Sequence, residues 1–201
     1  MSFINDNARE ESEVLGRKKG SFGNFKGSIW DKHGHKYMRN ATVTTIAPNG
    51  TTSLLADCNG GIEPFFALGY SRKNMETIGN TELFYINEIL ERKLKKEWLY
   101  EKELMEKIVK SGSIQDIDKI PSRVKRVFVG SLDIDPKWHL MMQSAFQKYT
   151  DNAVSKTINF KENISVNDII NAFELACDLN LKGMTIYRDK SRNLQVLNLN
   201  K

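Results

Sequence analysis

The sequence predicts an α/β fold with at least three core strands. Two observations carry this. First, residues 154–160 (VSKTINF) alternate like a strand, residues 165–180 form a helix of about fifteen residues, and 184–188 (MTIYR) read as a second strand. Strand, helix, strand at that spacing is a βαβ unit, with two parallel strands and a right-handed crossover. Second, residues 41–61 (ATVTTIAPNGTTSLLADCNGG) read as a buried strand, a tight turn and a helix start. Thr42, Val43, Thr44, Thr45 and Ile46 are β-branched, which suits a strand over 42–47.

The elements follow in order. Residues 5–19 suit a helix with a mostly charged face. Residues 20–27 form a loop carrying two aromatics, and 28–39 are polar and turn-rich. His33 and His35 lie in that stretch without a grouped carboxylate or thiol, so they read as surface turn rather than metal ligands. Gly60 and Gly61 permit a tight backbone, and Pro64 forces an extended one. Glu63 between them reads as an ordinary hydrogen-bonding carboxylate that could also face a site. Residues 81–96 suit a helix with Leu83, Ile86, Ile89, Leu90 and Leu94 on one side, capped by Asn80 or Thr81. Residues 102–110 form another helix stopped near Gly112. Short helices surround Pro121. Asp135 and Pro136 open a helix over 138–149, with Asp as cap and Pro in the first turn. His139 within it reads as structural. Ser165 with Asp168 is a capping-box start.

The chain has 201 residues, 40% of them hydrophobic, which is enough for a packed core in one large domain or two small ones. The net charge is +5, with the basic residues spread along the chain except at 92–96 (RKLKK), which reads as a solvated helix face. That balance suits an anionic substrate and is weak evidence for nucleic acid; no nucleic-acid partner is expected. No apolar run approaches a membrane span, and the polar N-terminus is not a signal peptide. Cys58 and Cys177 form no Cys-x-x-Cys pair and no zinc spacing. Free thiols fit an intracellular, cytoplasmic location. Cys177 is expected to pack in the core, whereas Cys58 follows the central turn and has no visible activating partner.

The central segment carries the sharpest chemical expectation. Pro48, Asn49 and Gly50 form the turn, and Thr51, Thr52 and Ser53 open the helix. Free backbone N–H groups, the positive end of a helix dipole and three hydroxyls would then surround one small concavity, which suits a phosphate. The same residues are equally compatible with a plain helix cap. The Gly-x-x-x-x-Gly-Lys spacing of a P-loop and the Gly-x-Gly-x-x-Gly fingerprint are both absent. Ligands of α/β folds sit at the carboxyl ends of strands. Three loops would lie there: 48–53, the segment after Phe160, and 188–192 (RDKSR). Lys156, Asn159 and Arg188 are polar residues near strand ends that could reach a phosphate or simply pair.

Taken together, FGNFKGSIWDK, RNATVTTIAPNGTTSLLADCNGGIEPFFALGYSRKN, GSIQDI, AFQKYTDNAVSKTINF and KGMTIYRDKSRNLQVL resemble the adenosylcobalamin-dependent (class II) ribonucleotide reductases. They match the C-terminal part of the catalytic barrel, in family order, across most of residues 22–197. The resemblance implies a ten-stranded α/β barrel, of which this chain supplies part of the later half. It implies that Pro48, Asn49, Gly50, Thr51, Thr52 and Ser53 hold the phosphates of a ribonucleotide substrate. The family usually reads Pro-Thr-Gly-Thr-Ile-Ser there, so Asn49 replaces a hydroxyl residue. It also implies reduction of the ribose 2′-hydroxyl by a thiyl radical, with adenosylcobalamin as cofactor.

The departure from the family pattern is in the cysteines. The radical cysteine, the redox pair and the Asn-x-Cys-x-Glu segment belong upstream, and nothing in residues 1–27 matches them. Cys58 and Cys177 fall outside those motifs, so no catalytic residue and no metal ligand is expected in this chain. The expectation is a single lobe over residues 1–201, with a leading helix over 1–21 and a short tail at 198–201. It would complete a reductase with a partner carrying the N-terminal half and its cysteines. Met1 directly before a family-like helix suits a split gene. A stand-alone phosphate-binding module and an inactive remnant are the alternatives.

Overall fold

The computed structural model describes residues 1–56, 58–73 and 82–191. The chain opens with α1 (Ser2–Lys19). This helix docks through small and polar residues: Asn5, Ser12 and Gly16 are its buried positions. Gly16 is required by proximity, because a Cβ there would lie 2.9 Å from the backbone nitrogen of Met38. α2 (Ile29–Lys32) follows, with Ser28 as cap, and buries Trp30.

The expected strand over 42–47 is reduced to a single parallel bridge between Ile46 and Val154. The reason is a polar knot that takes the backbone groups a ladder would need. The Asp151 carboxylate accepts from the Val43 N–H at 2.8 Å, and the Asn152 N–H donates to the Thr44 carbonyl at 3.1 Å. The Thr44 hydroxyl oxygen accepts from the Asn5 amide at 2.9 Å and from the Asp151 N–H at 3.0 Å. Arg9 closes the knot, with Nη2 2.7 Å from Asp151 and its guanidinium over the Trp30 ring. Thr44 is buried, whereas Thr42 and Thr45 are exposed. Ladder bonding resumes where the Ser155 N–H donates to the Ile46 carbonyl at 2.9 Å.

After α3 (Gly50–Leu55) the chain builds a module whose antiparallel strand pair is absent from the sequence reading. β1 (Gly69–Lys73) pairs antiparallel with β2 (Glu82–Ile86), with Gly69 opposite Ile86. The helix expected over 81–96 is therefore a strand followed by the shorter α4 (Glu88–Lys96). Its cap is Asn87, whose side chain accepts from the N–H groups of Ile89 and Leu90. The caps named from sequence, Asn80 and Thr81, lie outside the described residues. α5 (Lys102–Ser111) ends as expected at Gly112, which is left-handed with φ 71°. α6 (Ser122–Lys125) begins after Pro121. Leu68, Leu90, Leu94, Leu104, Ile108 and Ile120 form the centre of this module's core. Its two ends meet: the Ser131 N–H donates to the Phe65 carbonyl at 2.8 Å and its hydroxyl to Phe66 O at 3.3 Å.

The βαβ unit forms as expected. A short 3-10 turn (Ser131–Asp133) leads into α7 (Pro136–Gln147), capped by Asp135 through the Lys137 N–H. β3 (Thr157–Phe160) pairs in parallel with β4 (Thr185–Arg188), and α8 (Val166–Asp178) crosses between them. The Ser165/Asp168 capping box is present in both directions. Ile158 and Phe160 point toward the helices and share a core with Leu140, Ala172 and Ala176. Cys177 is exposed on α8, contrary to the core placement expected of it. That helix buries Ala172 and Ala176, four residues apart, and position 177 falls beyond this stripe. The fully buried Gln143 of α7 ties the two strand entries together, donating to Val154 O at 3.0 Å and Gly183 O at 2.7 Å.

Candidate functional site

The 48–53 loop stands at the carboxyl end of the bridge segment, beside β3. The helix begins one residue earlier than the sequence suggests. The Ser53 N–H donates to the Asn49 carbonyl at 2.9 Å, so Asn49 occupies the capping position and Gly50 is the first helical residue. Pro48, Asn49, Gly50, Thr51 and Thr52 are exposed. A side chain at Gly50 would meet nothing within 4 Å, so the space over the first helical amide is open. Ser53 differs from the expectation. It is buried, and its hydroxyl donates to the Gly50 carbonyl at 2.6 Å instead of facing the concavity. The outward-facing set is therefore two hydroxyls and the exposed start of a helix, not three hydroxyls.

The 59–63 turn seats this loop from behind. A Cβ on Gly60 would lie 3.2 Å from Asn49 Oδ1 and 3.3 Å from Ser53 Oγ. Gly61 has φ +55°, and a Cβ there would touch Ile46 and approach Ala47 O. Gly60 suits the tight approach, where a side chain would push on Asn49 and Ser53, and Gly61 suits the left-handed backbone.

Glu63 is a paired residue, as the plainer sequence reading held. Its Oε2 lies 2.8 Å from Lys156 Nζ, and its Oε1 accepts from the Thr157 N–H at 2.5 Å. Lys156 is only 2% exposed, so it is committed to this pair and does not reach outward to a phosphate. His139 is buried nearby, with Nε2 3.1 Å from Ser131 O. Burial, and then the Lys156 ammonium, hold its imidazole below the usual histidine range, so it is the neutral structural histidine expected.

The other two loops form a second grouping. The Asp189 N–H donates to Phe160 O at 2.9 Å, and Lys190 pairs with Glu162. Asn159 is half-buried on the face of β3 opposite Ile158, and Arg188 is exposed. Arg192 and the tail at 198–201 lie outside the described residues. Beside this grouping, a cavity of about 580 Å³ opens between α7, α8 and the end of β3, with Leu140, Phe160 and Ala172 among its walls and Asn159, Asn163 and Asn171 among its polar groups. Sequence reasoning did not find it, because its walls come from three separate elements.

Among the described residues no group of three His, Cys, Asp or Glu side chains converges as a metal site would require, and both cysteines are exposed. No helix among them is long and apolar enough to cross a membrane.

A parallel βαβ unit is thus joined by a single parallel bridge to the turn and helix that carry residues 48–53. The chain belongs to the ribonucleotide reductase barrel-domain family, whose model matches residues 31–187. It is 44% identical over 197 residues to the vitamin B12-dependent ribonucleoside-diphosphate reductase of Thermoplasma acidophilum, covering 98% of this chain and 25% of that protein. A reductase of the same description from Mycobacterium tuberculosis is 35% identical, with 98% of this chain and 28% of that protein covered. Among solved structures, the class Id ribonucleotide reductase alpha subunit of Actinobacillus ureae superposes with a TM-score of 0.73 at 23% identity, over 94% of this chain and 33% of that one. The chain thus spans about a quarter of the length of the curated relatives it matches.

Proposed function

We propose that this chain is the phosphate-binding lobe of a vitamin B12-dependent ribonucleotide reductase, in which the whole assembly reduces ribonucleotides to deoxyribonucleotides in the cytoplasm. The observation that carries this reading is the 48–53 loop. It opens a helix at the carboxyl end of a parallel segment, with Gly50, Thr51 and Thr52 facing outward. Backbone N–H groups at such a helix start, with two hydroxyls beside them, suit the phosphates of a nucleoside diphosphate. Pro48 and Asn49 shape the turn, and Ser53 braces it from inside through Gly50 O. The relatives' names support a diphosphate substrate and a B12 cofactor for the complete enzyme.

Adenosylcobalamin would supply the radical chemistry of that enzyme. Among the described residues both cysteines face solvent and no group of three His, Cys, Asp or Glu side chains converges, so no step through the cofactor is assigned to them. In this reading the cofactor and the catalytic cysteines come with a partner carrying the N-terminal half of the reductase, and the whole chain acts as a single lobe.

The test is to mix this chain with a purified N-terminal half of a matching reductase and assay adenosylcobalamin-dependent reduction of a ribonucleoside diphosphate. Activity confined to the mixture supports the proposal. No activity and no complex, with both pieces folded, refutes it. Gly50→Val should fill the open space over the loop and weaken substrate binding by about 10- to 100-fold, from loss of one or two charge-assisted hydrogen bonds. Unchanged affinity in that variant removes the loop from the site.

A further inference from the structure

We propose that Glu63 and Lys156 are a positioning pair for the 48–53 loop, an inference that rests on reading that loop as the phosphate site. Five hydrogen bonds and the close approach of two glycines connect the pair to the loop. Lys156 is buried, with its ammonium 2.8 Å from Glu63 Oε2 and 3.3 Å from Thr157 O. The second Glu63 oxygen accepts from the Thr157 N–H, so both carboxylate oxygens are fixed to the start of β3. The Glu63 N–H donates to Gly60 O at 2.9 Å, and the Asn59 amide donates to Glu63 O at 2.8 Å, which closes residues 59–63 into one turn. Gly60 and Gly61 then lie close behind the loop: a Cβ on Gly60 would stand 3.2 Å from Asn49 Oδ1 and 3.3 Å from Ser53 Oγ, and one on Gly61 3.4 Å from Ile46 Cγ2. Any displacement of Glu63 from β3 moves the turn that backs the loop.

Energetics favour a geometric role over a stabilising one. An ion pair with one partner fully buried, as Lys156 is here, gives little net stability, because desolvation offsets the attraction. What it fixes is register. Two oxygens on two donors of one strand define the position and the orientation of the turn, which an apolar contact would leave free to slide. The pair also keeps the Lys156 charge occupied, so that the loop, not the lysine, presents the donors for an anion.

The experiment is residue-resolved amide exchange on this chain. The probes are the amides of Ser53, Ala56 and Cys58, which donate to Asn49, Thr52 and Ser53 carbonyls. The variant is Glu63→Gln with Lys156→Met, which removes both charges together and leaves no unpaired buried ion. The loop amides should exchange at least about tenfold faster than wild type, while those of α8 stay within about twofold. Lys156→Arg, which keeps the cation, should restore slow exchange. Loop amides that keep their wild-type rates while the Thr157 amide is released would overturn the proposal. If the double variant also loses α8 protection, Gly60→Ala perturbs the same path from the other end, and its loop amides alone should loosen; unchanged rates there again overturn it. Titration of wild type with inorganic pyrophosphate is read separately. Absence of shifts at residues 50–53 defeats the phosphate reading and leaves the exchange result to decide the positioning role.

Discussion

Replacing Gln143 by Leu should be among the most damaging single changes in this chain. Gln143 is fully buried in α7, and its one amide nitrogen serves two carbonyls, Val154 O at 3.0 Å and Gly183 O at 2.7 Å. These carbonyls stand just before β3 and β4, so the side chain holds both strand entries against the same helix. Leucine fills a similar volume, so little cavity is left, and the cost is that of two abandoned acceptors. Each buried unsatisfied group costs about 1–3 kcal/mol, or roughly 2–6 kcal/mol for the pair. Part of this is returned, because Gln143 Oε1 itself has no donor among the described residues and disappears with the substitution. The expected net loss is about 2–4 kcal/mol, which for a chain of this size lowers the melting temperature by roughly 4–16 °C. Urea unfolding followed by circular dichroism measures the first figure and calorimetry the second. Gln143→Glu, which replaces the donor with a third acceptor, should be worse. A Gln143→Leu protein within about 0.5 kcal/mol of wild type would refute the argument that these two bonds hold the strand entries.

Gly16→Ala tests packing against helix propensity: alanine gains about 1 kcal/mol within a helix, yet its Cβ would lie 2.9 Å from Met38 N and 3.0 Å from Arg39 N. Overpacking against backbone costs about 1–3 kcal/mol, so chemical denaturation should show a net loss, and a stabilised variant would contradict the close approach. For Asp151, burial raises the carboxyl pKa, but hydrogen bonds from Arg9, Val43 and Asn5 outweigh it and hold it below 3.8. Its contribution is complete above the unfolded value and lost as pH falls through the depressed folded value; Asp151→Asn should flatten this acid limb in a stability-versus-pH series. His139, held below 6.5 by burial and by Lys156, stays neutral in the fold while the unfolded chain takes up a proton. Its contribution is therefore complete above pH 6.5 and declines as pH drops toward the folded value, and His139→Gln should abolish that slope.

The features legible in the sequence are those written into neighbouring residues. Asp135 before Pro136, Ser165 with Asp168, and Gly112 after a helix each act within one turn of chain, and each is found where expected. The parallel pairing of β3 and β4 follows from the length of the crossover between them. What escaped depends on partners far away. Leu83 and Ile86 fit a helical stripe with Leu90 and Leu94, yet residues 82–86 pair with β1, whose polar GYSRK sequence gives no strand signal. The 42–47 segment has strong β propensity, but the Asp151 carboxylate, 108 residues away, occupies the Val43 N–H. At the site, the turn and the helix start were readable, and the inward rotation of Ser53 was not, because a serine in a first helical turn can bond back to the carbonyl three residues earlier or face outward, and its sequence does not distinguish the two. The partner of Glu63 lies 93 residues away and no local spacing announces it.

The meeting of Phe65 and Ser131 has a consequence for how such a chain can change over time. The described residues between Leu68 and Phe128 have their own apolar centre and leave the rest of the molecule at the point where the chain returns. Topologically it is a graft on one short stalk, so a short linker across that stalk would let the stretch be shortened, lengthened or exchanged while the path from the 48–53 loop through Glu63 to β3 stays intact. A change in that branch would then leave the loop, the turn behind it and the strand that anchors them as one undisturbed piece.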